Sequence, residues 1–164
     1  MNENKFIIAI VAVTLSLLVG VVLLAGKMSS SAKVESSNDA QAEVGSMSYD
    51  WGKIGINNGN AEAVFEIKSN GSQPLKLFNI ITSCACTTAQ TIVDGKGSPL
   101  FDMHSQSTYV TEVPPGSTAQ LKVVFDPLFH GPNGLGPITR QITVTTNDAN
   151  NPKLEFSLSA DVVK

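Results

Sequence analysis

Cys84 and Cys86, separated only by Ala85 in the stretch Ser83-Cys84-Ala85-Cys86-Thr87, are the two cysteines of the 164-residue chain. Such a pair has three chemistries open to it. Two thiolates can grip one soft metal ion, a dithiol can take part in redox exchange, or two small apolar side chains can pack at the end of a strand. A disulfide between them fits an oxidising compartment, but closing a bond across one intervening residue strains its geometry and leaves it easily reduced. Two cysteines are too few for the disulfide framework of a small secreted domain, so their value is local.

Past residue 48, the remaining soft and imidazole donors are Met103, His104 and His130, each in a segment read as a strand end or loop. Cys84, Cys86, Met103, His104 and His130 are therefore the candidate metal ligands. Thiolate, thioether and imidazole together favour copper, Cu(I) above all, with zinc second. No carboxylate spacing suits calcium or magnesium, and no second cysteine pair completes a four-thiolate zinc site. Against this stands a plainer reading of each residue: loop histidines, a gap-filling Met103 beside Phe101, and cysteines that are small buried hydrophobes.

Other functions find little support. A Cys-His nucleophilic pair would lack an evident oxyanion hole or orienting acid, so the chain is read as a non-enzyme. The Gly- and Pro-rich loop Phe129–Pro137 has neither the lysine nor the following helix of a phosphate-binding loop, which argues against nucleotides. Eleven Lys and Arg against fourteen Asp and Glu give a formal charge of -3 with no basic patch, so nucleic acid is not an expected partner.

The elements that must position these donors follow from hydropathy. After a short tail over residues 1–5, residues 6–26 carry no charge and are long enough to cross a bilayer core of about 30 Å as a helix, a transmembrane segment or signal anchor. Residues 27–48, rich in serine and poor in large apolar side chains, read as a flexible stalk. The chain is thus expected at the cell membrane, crossing once, with its folded domain, residues 49–164, outside the cytoplasm.

Within that domain short alternating runs are split by turn residues. Ala63, Phe65 and Ile67 oppose Glu62, Glu66 and Lys68, and Asn70-Gly71 supplies turn residues that accept positive φ. Residues 75–83 are apolar on both faces, with Leu75, Leu77 and Ile81 against Phe78 and Ile80. Leu121, Val123 and Phe125 stop at Asp126-Pro127, and Leu154 to Val162 alternate to the end. About seven such strands make an all-β protein, an antiparallel immunoglobulin-like sandwich, with Trp51 in its core. The cysteines close one strand and His130 follows another, so the two loops share an end of the sandwich only if an odd number of traversals separates Cys86 from Pro114. A run out, back and out again would bring Met103 and His104 to that end too.

The motifs Asp50-Trp51-Gly52-Lys53-Ile54, Phe65–Gly71, Pro74-Leu75, Ser83–Thr87, Pro115-Gly116 and Val124–Pro127 resemble the bacterial family called domain of unknown function 1573. The resemblance covers about residues 47–163, and Ser-Cys-x-Cys-Thr is its most specific part. It implies an immunoglobulin-like sandwich related to the ASH and major-sperm-protein domains, and no established activity. The chain departs from that pattern in having Ala85 where a glycine is expected, and in a longer segment from Gly95 to Tyr109. The expected function is a membrane-anchored binding module for copper, or less readily zinc. The alternatives are a metal-free structural or interaction domain with a protein partner, and a redox-active dithiol.

Overall fold

Period-two alternation dominates the structure as it does the sequence. The computed structural model describes residues 3–25 and 32–164, with side chains over 7–21 and 32–164. It divides into two units, Met1–Ser30 and Ser31–Lys164. The first holds helix α1 (Glu3–Ala25), whose large apolar side chains from Ile7 to Val21 are exposed. Among the described residues no helix is long and apolar enough to cross a membrane. Of the expected segments, Met1, Asn2 and residues 26–31 lie outside the described residues.

The second unit contains β1 (Ala42–Val44), β2 (Ser48–Gly55), β3 (Ala61–Ser69), β4 (Leu75–Thr82), β5 (Thr87–Val93), β6 (Lys96–Gly97), β7 (Thr111–Val113), β8 (Thr118–Phe125), β9 (Gly136–Thr146) and β10 (Lys153–Val163). They form two sheets, in the orders β1-β3-β8-β5-β6 and β2-β10-β9-β4-β7. Phe65, Leu121, Ile142, Phe156 and Leu158 lie in the core between them, each fully buried aliphatic or aromatic side chain contributing about 1.5–3 kcal/mol. This is the immunoglobulin arrangement, with its first strand divided between the sheets. One correction to the antiparallel expectation follows from that division: β1 pairs antiparallel with β3, but β2 runs parallel to the last strand, β10.

Strand β4 departs from simple alternation for a local reason. Leu75 and Leu77 are buried, but so are Phe78, Ile80 and Thr82, whereas Ile81 is exposed. The register against β9 slips between Phe78 and Ile81, and Asn79 takes φ 48°. Asparagine tolerates this left-handed conformation, and the extra residue of the bulge transfers the inward parity from odd to even positions. The strand therefore delivers Thr82, not Ile81, to the interior just before the cysteines.

The expected stalk over residues 27–48 ends too late. Ala40 is fully buried, residues 42–44 form β1, and Ser37 bridges to Asp148, donating its amide to Asn147 O at 2.7 Å. Gly71 is the reason the segment can lie so close: a Cβ there would run into the Asp39 carbonyl and the Gln41 nitrogen. Its φ is not positive, so this glycine serves close approach rather than the turn conformation expected of it. The segment's polar anchor is Asp148, fully buried. Its carboxylate accepts from the Ala42 amide at 2.9 Å, the Asn150 amide at 2.8 Å and the Asn151 side chain at 3.0 Å. Burial pushes the Asp148 pKa up, but these hydrogen bonds to the charged form outweigh it and hold it below the ordinary value of 3.8.

Because the folded-state pKa is depressed, Asp148 contributes stability that is fully present above the unfolded value and is lost as pH falls through the folded one. Asp148→Ala is expected to cost about 2–4 kcal/mol at neutral pH, from buried donors left without an acceptor, and to flatten the loss of stability below about pH 4. Urea titrations from pH 7 to pH 2 check both; an unchanged acid limb would show that the carboxylate has no such role.

Candidate functional site

The chain leaves one sheet at Thr82 and enters the other at Thr87, so Ser83–Cys86 is a crossover with no ladder of its own. Its backbone groups are satisfied from three sides. The buried Thr82 hydroxyl shares its one proton between Cys84 O at 3.0 Å and Thr87 O at 2.9 Å, and the Thr87 amide returns to Cys84 O at 3.1 Å. The Ser83 amide donates to Gln141 O at 2.9 Å while the Gln141 amide donates to Ser83 Oγ at 2.9 Å, tying the crossover to β9. The Asp126 amide donates to Cys86 O at 2.9 Å, tying it to the end of β8. The resulting turn needs no positive φ at Ala85, so the missing glycine costs nothing.

Cys84 and Cys86 are joined as a disulfide, and no cysteine is free among the described residues. In this state neither sulfur is a thiolate ligand, so the metal site expected from the sequence would need the reduced pair. The two sulfurs differ sharply in surroundings. Cys84 is half-buried; its Sγ accepts from the Cys86 amide at 3.2 Å and stands 3.6 Å from His130 Nε2. Cys86 is only 3% exposed; its Sγ receives the Arg140 Nε–H at 3.1 Å and lies 3.6 Å from Thr87 Oγ1.

His130 reaches this position because the link from Asp126 to Cys86 fixes where β8 ends. Leu128 N donates to Asp126 Oδ1 at 2.9 Å and Gly131 N to Leu128 O at 2.8 Å, which folds the loop back before the short 3-10 turn Gly131–Gly134. Exposed His130 packs edge-on to Phe129. The ligand atoms of Cys84, Cys86 and His130 all lie within 4.8 Å of one another.

The path between Cys86 and Pro114 runs out along β5, back through β6 to Phe101, which bridges Ala89, and out again to β7 beside the start of β4. Asp102 O accepts from the Thr82 amide at 3.4 Å, so the Met103-His104 turn lies at the cysteine end. The traversal count expected from the sequence holds, yet His104 does not join the cluster of ligand atoms. Its amide donates to Asp102 Oδ1 at 2.8 Å, capping its own turn, and Met103 is exposed.

Arg140 was not among the candidates. It is the single arginine of the chain, on β9, and its guanidinium lies 5.3 Å over the Phe125 ring while Nη1 donates to Thr139 O at 2.8 Å. Trp51 stacks on the same ring at 5.9 Å and donates Nε1–H to Glu62 O at 2.9 Å. It is half-buried at the core edge rather than central. Among the described residues no carboxylate is within ion-pair distance of Arg140. Burial lowers its pKa from the ordinary guanidinium value, and it remains a cation. Its position one strand across from the cysteines was the available signal, visible only once the β4–β9 register is known.

Residues 42–95 match the family described as protein of unknown function, DUF1573. The DUF1573 match runs from β1 to the turn after β5, and so holds both cysteines but neither His130 nor Arg140. No curated protein matches the chain. A crystal structure of a protein of unknown function from Porphyromonas gingivalis is similar at 23% identity and TM-score 0.58, over 78% of this chain and 49% of that one. The chain thus spans about half the length of that structure. The ASH/PapD-like domain 7 of human CEP192 is similar at 13% identity and TM-score 0.49, over 80% of this chain and 91% of the domain.

Thr82→Val, which keeps shape but removes the hydroxyl, is expected to destabilise the sandwich by about 1–3 kcal/mol, because the buried Thr87 carbonyl loses this donor while Cys84 O keeps only the Thr87 amide. Thr82→Ser should retain most of the stability. Thermal or urea unfolding of the pair checks this, and equal stability of Val and Ser variants would remove the hydroxyl from the account.

Proposed function

We propose that the chain is an extracytoplasmic immunoglobulin-like binding module, held at the membrane by α1, whose reduced Cys84–Cys86 pair takes up a soft metal ion together with His130. It is a binding protein rather than an enzyme. The observation that carries the reading is the convergence of two sulfurs and an imidazole nitrogen within 4.8 Å. In the oxidised pair the sulfurs are spent on each other; two electrons and two protons, supplied by a thiol reductant, turn them into ligands. Copper is preferred over zinc on charge as well as softness. Two thiolates around Cu(I) leave one negative charge, which the Arg140 guanidinium beside Cys86 offsets, whereas Zn(II) would leave none. Met103, in the turn at the same end, is the candidate additional donor.

The anchor is supported by the uncharged run from Phe6 to Gly26, which extends beyond the Ile7–Val21 side chains described, and by the exposure of the large apolar side chains among those, the pattern of a helix made for lipid or for burial. A disulfide suits an oxidising compartment and hence a domain outside the cytoplasm. Protease added to bacterial spheroplasts expressing the chain is expected to digest the sandwich; its full protection would place the domain inside.

The metal reading is tested on the full chain in detergent, reduced and anaerobic. One Cu(I) per chain is expected, with thermal stability rising by about 4 kcal/mol at a thousandfold excess over Kd. His130→Ala should weaken binding, and Cys84→Ser should abolish it. Failure of the reduced chain to take up Cu(I) or Zn(II) overturns the reading.

A further inference from the structure

The asymmetry between the two sulfurs has chemical content even with no metal present. From it we infer that the Cys84–Cys86 disulfide is a directional thiol–disulfide exchange site, entered by an external thiolate at Cys84, with Cys86 as the leaving thiolate held by Arg140. The inference stands apart from the metal reading, since no ion takes part in it.

Access decides the first half. Cys84 is half-buried at the surface, whereas Cys86 is 3% exposed and packed with Ile56, Phe125 and Val162. An incoming sulfur can reach only the outer of the two. Charge decides the second half. A thiolate leaving from Cys86 develops its negative charge against the Arg140 Nε–H, 3.1 Å away, with the Thr87 hydroxyl at 3.6 Å. Arg140 is fixed for this purpose by stacking over Phe125 and by its bond to Thr139 O. Cys84 Sγ has an amide donor of its own from Cys86 at 3.2 Å and His130 Nε2 at 3.6 Å. The amide is uncharged and the imidazole stands farther from its sulfur than the Arg140 guanidinium does from Cys86, so Cys86 is the better leaving group.

The step balances without any further reagent. The external thiolate forms a bond to Cys84 Sγ; the bond between the two cysteine sulfurs breaks, and its electron pair leaves on Cys86 Sγ. A second external thiolate then attacks the external sulfur of the mixed disulfide and releases Cys84 as a thiolate. The products are an external disulfide and the reduced pair, so two thiols are oxidised for one protein disulfide reduced. The co-reactants are thiols of small molecules or of unpaired protein cysteines. Arg140 touches the sulfur whose bond breaks and is therefore placed among the reacting groups.

The full-length oxidised chain in detergent, with EDTA and a Cu(I) chelator present, is mixed with reduced glutathione and quenched at intervals with iodoacetamide. Peptide mass spectrometry is expected to find glutathione on Cys84 and the carbamidomethyl group on Cys86 at early times. Arg140→Gln should slow loss of the disulfide about tenfold, as removal of one charge-assisted donor predicts, and Arg140→Lys should recover part of that loss. Glutathione on Cys86, an even split between the sulfurs, or no adduct at all overturns the inference, and these readings need only the unaltered chain. An Arg140→Gln chain that folds and reacts as fast as the parent removes Arg140 from the step. Because the chelators exclude metal, failure here leaves Cu(I) uptake by the reduced chain to be judged separately.

Discussion

A chain that passes from one sheet to the other must satisfy its backbone polar groups without a strand partner, and an unsatisfied one costs about 1–3 kcal/mol when buried. Everything at the candidate site depends on how Ser83–Cys86 meets that constraint. Thr82 supplies a hydroxyl from inside, Gln141 pairs with Ser83 from β9, and Asp126 reaches Cys86 from β8. These links do more than close the crossover. The Asp126 link sets where the His130 loop begins, and the Gln141 link places its neighbour Arg140 beside Cys86. One solution to a backbone problem thus assembles two sulfurs, an imidazole and a guanidinium from three separate stretches of chain.

The same atoms serve two exclusive states. As a disulfide the sulfurs have no lone charge to offer a metal; as thiolates they face a cation at one side and an imidazole at the other. The proposed metal uptake and the proposed thiol exchange would each involve the reduced pair, but neither requires the other. Arg140 favours the thiolate form in either. Its support is aromatic: Trp51 and the guanidinium both contact the Phe125 ring, so the chain's single tryptophan and single arginine meet at one residue of β8.

Much of this was legible in the sequence, and the misses have specific causes. Alternation gave β3, β8 and β10 their buried faces, and the traversal count brought His130 to the cysteines, because strand parity depends only on where runs begin and end. Ile81 was misplaced because a bulge at Asn79 reverses parity without leaving a mark in hydropathy. The stretch from Ser37 to Val44 was read as stalk because it has almost no large apolar side chain, although Ala40 is buried and Ala42 and Val44 pack against the core. What holds it is the carboxylate of Asp148, more than a hundred residues away, and the bare backbone of Gly71. Polar anchoring of that kind has no local signature. The disulfide was weighed but not favoured, and Arg140 was missed because its partner is a sulfur set by sheet register, not by spacing.

The place of the disulfide in the fold argues for chemistry over stability. Cross-links stabilise mainly by restricting the unfolded chain, and the effect grows with loop length: about 3 kcal/mol for fifteen residues, but only about 1.6 kcal/mol for three. A bond between residues two apart is thus near the least useful place for a structural cross-link. Cys84 and Cys86 also belong to a small cluster with Ile56, Phe125 and Val162, separate from the main core around Phe65, Leu121 and Phe156. The side chains the bond touches are those of this satellite, not those packed between the two sheets. A pair held outside the main core is placed where a change in its bonding need not reach the packing between the sheets, which the proposed exchange or reversible metal uptake would require.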